Sequence, residues 1–440
     1  MKSAAGAFLG SAASRLLPAT IPFRFFGAAL VYHVLAWLAL LAGAQQWPHF
    51  GGGLGWPLAA LHVFTLGVIV MTAIGASLQL LPVATRQPVL SERLPRLIWW
   101  LYVPAVAALT LGMGLELAPL LAAGALAIVC ALLLYALLLV ANLRGARGMP
   151  GVVSHGWAAL GCLAVALASA LALVGNYVSL PSLGRPAALA LHVAFAGYGF
   201  MGLLALGLSA ILVPMFTLSP LPDVRRHLTS CAFAVVGLGC AAAAALGNEP
   251  RAWRIAAIGA GTIAVALHLA LMQAALRDGM RHDLGRSFVL VKIAWVALAA
   301  SLLAALAIAL GTPLPGLASL FGLLLVGAWL LTFTLAMLQR ILPFLASMHA
   351  ARGRRRPPLP STFSTARPLA IHFACHLAAL AGLALALATE SSALAALAAA
   401  TGAVGAIAYL AFYIVLLRRL AVPAPAPAPA GSRSQVAGEG

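Results

Sequence analysis

Two histidines define the chemistry open to this chain. His62 stands in Leu61-His-Val-Phe and His192 in Leu191-His-Val-Ala, each inside a long apolar run. Neutral imidazole is a good ligand for haem iron, copper or zinc. Ionisable side chains inside a membrane span are rare and mark a site by default. Both histidines fall about five residues into their runs, so at 1.5 Å per residue both rings reach about 7–8 Å inside the interface. A lone intramembrane histidine is more often bonded to a carbonyl or hydroxyl of a neighbouring helix. A pair at one depth shifts the balance toward a pair of ligands.

Nine other histidines follow. His33 falls near the middle of the first apolar run, and its height differs from that of His62 by roughly 6–8 Å on the same rise argument. One cofactor bridging the two is therefore expected as an option. His372 and His376 are spaced i, i+4 and share a helix face, which offers a second haem or metal position. The absence of a His-Glu-x-x-His pattern leaves protease chemistry unsupported. His155 and His372 come within about a turn of helix ends and are expected to reach water. His49, His227, His282 and His349 read as loop residues, and His268 as structural.

The elements that must position these rings are membrane helices. Hydrophobic residues make up 63% of the 440-residue chain and charged residues only 8%, whereas soluble domains carry about 25% charge. Twelve runs of about twenty apolar residues can each cross some 30 Å of hydrocarbon: 22–44, 58–82, 97–117, 119–142, 153–176, 187–214, 229–247, 253–275, 288–311, 315–342, 368–388 and 392–417. Helices are required because they satisfy their own backbone polar groups in lipid. A phrase recurs about every 130 residues: Gly75-Ala-Ser-Leu-Gln-Leu-Leu-Pro82, Gly207-Leu-Ser-Ala-Ile-Leu-Val-Pro214 and Ala336-Met-Leu-Gln-Arg-Ile-Leu-Pro343. The period spans four runs, which describes an all-α polytopic protein of three four-helix pseudo-repeats. The prolines are expected to end these helices or kink their last turns.

The net charge of +18 does not indicate nucleic acid. Arg86, Arg93, Arg96, Arg144, Arg147, Arg225, Arg226, Arg277, Arg281, Arg286 and Arg352 to Arg356 gather in the even-to-odd loops. Only Arg185, Arg251 and Arg254 lie at the opposite face. This positive-inside bias places both termini in the cytoplasm, with the lipid bilayer as the main partner. Residues 1–21 read as a cytoplasmic tail, 22–420 as the membrane domain and 421–440 as a disordered Ala/Pro-rich tail. The five single cysteines read as small packing residues. Lys292, a turn into its run, is expected to snorkel outward.

Twelve helices, three arcs and histidines in the outer third of helices 2 and 6 resemble subunit I of the haem-copper oxidases and nitric oxide reductases. The phrases that carry the likeness are Leu61-His-Val-Phe-Thr-Leu-Gly67, Leu212-Val-Pro-Met-Phe216, Leu338-Gln-Arg-Ile-Leu-Pro-Phe344 and the Gly75 phrase. The resemblance implies a bacterial inner-membrane location, respiratory or electron-transfer partners, haem b and, as an alternative metal, copper. It assigns His62 to the helix-2 haem ligand and His192 to the helix-6 copper ligand. Helix 10 lacks the family's histidines, with Phe321 and Leu323 at their height, and residues 231–252 hold no His-His pair. The resemblance therefore implies a reduced cofactor set and no complete oxygen-reducing centre. Two other readings stay open. One is a permease for a neutral solute using Thr72, Ser77, Gln79, Ser209, Thr332, Thr334 and Gln339; the other is an accessory subunit of a respiratory or assembly complex.

Overall fold

The computed structural model describes residues 17–180, 183–247, 250–351 and 358–421. Most of the two expected tails, 1–16 and 422–440, and the Arg352–Arg356 run lie outside the described residues. Within them there is no strand, and twelve helices are long and apolar enough to cross a membrane. They are α1 (Thr20–Ala42), α2 (Trp56–Ala84), α3 (Arg93–Gly114), α4 (Ala118–Arg144), α5 (Pro150–Tyr177), α6 (Arg185–Thr217), α7 (Val224–Leu246), α8 (Pro250–Arg277), α9 (Gly285–Leu310), α10 (Leu317–Ala350), α11 (Ala366–Ala388) and α12 (Ser392–Ala421). The protein is a multi-pass helical membrane protein. Side chains such as Trp100, Val296 and Leu303 cover its outer surface as exposed apolar groups, as expected of spans that face lipid.

Three chains of consecutive helix contacts form the body: α3–α4–α5–α6, α7–α8–α9–α10, and α11–α12–α1–α2. The arcs are thus offset by two helices from chain order. The third is closed by Tyr413 Oη of α12, which donates to the Phe23 carbonyl of α1 at 2.5 Å. Helices α2, α6 and α10 meet one another at the centre. In α6, 94% of the most apolar window is buried, with 67% in α2 and 61% in α10, against 28–56% in the other nine.

Each central helix contains a π-helical stretch, at Val63–Val70, Ala194–Gly202 and Leu323–Leu331. A widened turn releases carbonyls from the i→i−4 ladder, and such stretches are frequent at functional sites. Neighbouring side chains take up carbonyls in and beside them. Tyr102 Oη donates to Leu66 O at 3.1 Å, Thr332 Oγ1 to Gly327 O at 2.9 Å and Tyr409 Oη to Leu335 O at 2.9 Å. Tyr102→Phe is expected to cost about 1–2 kcal/mol by stripping Leu66 O of its donor, read as a lower unfolding midpoint in detergent.

The repeated prolines differ from expectation in one respect. Pro82 and Pro214 lie two and three residues from their helix ends, but α10 runs seven residues beyond Pro343. The chain can do this because Pro343 loses only one backbone donor while the following turns stay packed, with Leu345 and Ala346 buried. Small residues let helices approach closely. A Cβ on Gly112 of α3 would stand 2.4 Å from Leu121 N of α4, and one on Gly124 would stand 2.3 Å from Leu109 N. Backbone cannot step aside as a side chain can. Gly124→Ala is therefore expected to destabilise by about 2–3 kcal/mol, measured by denaturant unfolding in micelles.

Candidate functional site

His62 ends the regular turn before the π stretch of α2, and His192 stands two residues before the π stretch of α6. The structure brings them together. Their ring centres are 6.3 Å apart and the ring planes differ by 17°. His62 Nδ1 lies 3.0 Å from Leu58 O, and His192 Nδ1 lies 3.2 Å from Ala166 O of α5. A carbonyl only accepts, so both Nδ1 atoms carry hydrogen and both Nε2 atoms present lone pairs. Ligand histidines are held in this way, with the far nitrogen donating to backbone or carboxylate. Two imidazoles on opposite sides of one ion, with bonds of about 2.0–2.1 Å, would have ring centres about 6 Å apart. Both residues are partly exposed.

A second group comprises His33 of α1 and His372 and His376 of α11. His33 and His372 have ring centres 5.7 Å apart, and His372 and His376 5.4 Å. All three are buried, so His372 does not reach water as expected. Trp37 Nε1 donates to His33 Nε2 at 3.1 Å, which puts the His33 hydrogen on Nδ1. Thr332 Oγ1 gives its hydrogen to Gly327 O and accepts from His376 Nε2 at 2.8 Å. His33 is thus committed to Trp37, and its ring lies against His372.

The third group was not legible as a site. His155 of α5 and His227 of α7 have ring centres 4.4 Å apart. His268 of α8 has its Nε2 3.4 Å from Ser209 Oγ of α6. His155 is fully buried, with Nδ1 on Gly151 O at 2.8 Å, so it does not reach water. His227 is no loop residue but a buried member of the first turn of α7. His349 likewise lies in α10, with its ring 6.2 Å from that of Phe23. His49 and His282 are exposed, as is Lys292.

Beside the central pair lies an open apolar pocket of about 310 Å³ between α6, α7, α8, α9 and α10. Its walls include Tyr198, Phe321 and Trp329. The Tyr198 hydroxyl donates to Ser301 Oγ at 2.8 Å, so it serves α6–α9 packing rather than a metal. No carboxylate enters any of the twelve spans. Among the described residues, no three His, Cys, Asp or Glu side chains already close around one ion. The chain matches no protein-family model and no curated protein.

Proposed function

We propose that this chain is a haem-binding membrane protein with the subunit I arrangement of the haem-copper oxidases and a reduced ligand set. His62 and His192 would ligate a single haem b iron or, in its place, copper. The protein would act in electron transfer, haem handling or gas sensing, with respiratory or electron-transfer proteins as partners. Its location would be a bacterial inner membrane with both termini cytoplasmic, in keeping with the arginine bias of the loops.

The observation that carries this reading is the paired tautomer. Two repeat-related rings, nearly parallel and 6.3 Å apart, each give Nδ1–H to a carbonyl and leave Nε2 free. A bound haem supplies one-electron and diatomic-gas chemistry. The residues around it supply orientation. Leu58 O and Ala166 O fix the ring tautomers, and each ring stands just before a π stretch.

The test is purification from haem-replete cells, followed by reduced-minus-oxidised spectra and metal analysis. A Soret band with stoichiometric iron is expected. Protein with neither Soret band nor copper would end this reading.

A further inference from the structure

We propose that the pocket between α6, α7, α8, α9 and α10 binds one fatty-acid chain, with its carboxylate on Arg254. The arginine is unusual by position. Only Arg185, Arg251 and Arg254 carry charge of this kind at the end of the bundle opposite the basic loops. Arg185 is engaged, because its guanidinium donates to Tyr177 Oη at 3.3 Å and lies over that ring. Arg254 forms no hydrogen bond or ion pair among the described residues, and it lines the pocket. Every other lining residue is apolar or aromatic. On α8 the lining runs from Arg254 to Val265 and on α9 from Leu298 to Ala309, which at 1.5 Å per residue is about 16 Å along the helix axes. Arg254 and Ile308 are exposed at one end, whereas Val265 and Leu298 are buried at the other. Trp253 is exposed beside Arg254, and such rings favour the membrane–water interface. The guanidinium therefore stands at headgroup level, and the pocket runs inward from it.

The class of ligand follows from size and charge. A volume of about 310 Å³ lies at the small end for ligand sites, so it suits a single chain and excludes a two-chain phospholipid. A chain of single C–C bonds advances about 1.3 Å per carbon, so the length of the pocket takes about twelve carbons. The tail gains by leaving water whatever its head, and the head decides which amphiphile is held. Guanidinium presents paired donors that match the two oxygens of a carboxylate. An uncharged head leaves Arg254 without that partner. Gly261 keeps the passage open. A Cβ there would meet only Leu302 Cδ2, at 3.7 Å, so a larger side chain would project into the free volume. Binding here needs no cofactor at His62 and His192, so the two readings fail separately.

The test places the full chain in nanodiscs of phosphatidylcholine, because alkyl detergents would compete for the pocket. Binding of radiolabelled dodecanoate and of radiolabelled dodecanol is measured by scintillation proximity against empty nanodiscs. Saturable binding of one equivalent of dodecanoate is expected, at least tenfold tighter than that of dodecanol. Arg254→Gln should weaken dodecanoate at least tenfold and leave dodecanol unchanged. Arg254 is exposed, so this variant removes the head contact without disturbing packing. Gly261→Leu should weaken both ligands at least tenfold by filling the passage. No saturable binding of dodecanoate, equal affinity for dodecanol, or unaltered binding in either variant would overturn the site. Mass spectrometry of the same preparations covers the other occupant. A retained phospholipid that keeps dodecanoate out would overturn the fatty-acid assignment in favour of a structural lipid.

Discussion

His62→Ala is expected to remove at least nine-tenths of the haem or copper that co-purifies with the chain, and His192→Ala to do nearly the same. Each variant deletes one of two neighbouring nitrogen donors, and with no carboxylate in the spans there is no nearby anionic donor to replace it. Changes even to groups behind a ligand lower metal affinity by about 10–100-fold, so loss of the ligand itself should exceed that. The two variants should differ in kind. Leu58 O belongs to the same helix as His62, whereas Ala166 O reaches His192 from α5. His192→Ala therefore also leaves an α5 carbonyl without its donor, at about 1 kcal/mol of stability. The checks are absorption spectra, iron and copper content, and thermal unfolding of the same preparations. Unchanged spectra in a folded double variant would remove the pair from the cofactor's coordination. A permease would keep its transport under the same substitutions.

The association of His62 with His192 was legible because position along a helix is a matter of counting. Composition fixed the class, and the Pro phrases fixed which helices correspond. The arcs were legible in number but not in phase, because the pairing of α11–α12 with α1–α2 rests on contacts such as Tyr413 with Phe23, hundreds of residues apart. The π stretches were not legible. Their widened turns are maintained by donors from other helices, such as Tyr102 on Leu66 O, and no local periodicity announces that. The His155 group was missed for a specific reason. Hydropathy starts α7 at about residue 229 because Arg225 and Arg226 are charged, whereas the Asp223 side chain accepts from Arg226 N at 2.8 Å and starts the helix earlier. An N-cap aspartate after Pro220-Leu-Pro222 was the available signal. It would have moved His227 from a loop onto the helix face that carries Cys231.

Gly402→Ala is expected to be strongly destabilising. On α12, a Cβ at this position would stand 2.3–2.4 Å from three ring atoms of Trp37. Trp37 is 1% exposed and cannot yield outward. Its other face is held edge-on by Phe64, with centroids 5.0 Å apart, and its Nε1 is tied to His33. Overpacking of this kind costs about 1–3 kcal/mol. Pushing Trp37 also moves two sites at once, since Phe64 follows His62 by two residues and His33 lies against His372. The loss should therefore appear both as a lower unfolding midpoint and as a shifted spectrum of any cofactor at His62. Trp37→Phe separates steric from hydrogen-bonding effects. Alone it opens a gap and strips His33 of its donor; combined with Gly402→Ala it receives the new methyl into that gap. The double variant should accordingly be more stable than the sum of the singles predicts, by at least about 1 kcal/mol of coupling. Additive losses would mean that the α12–α1 contact relaxes without reaching Trp37, and that the ring is not the wedge between these helices.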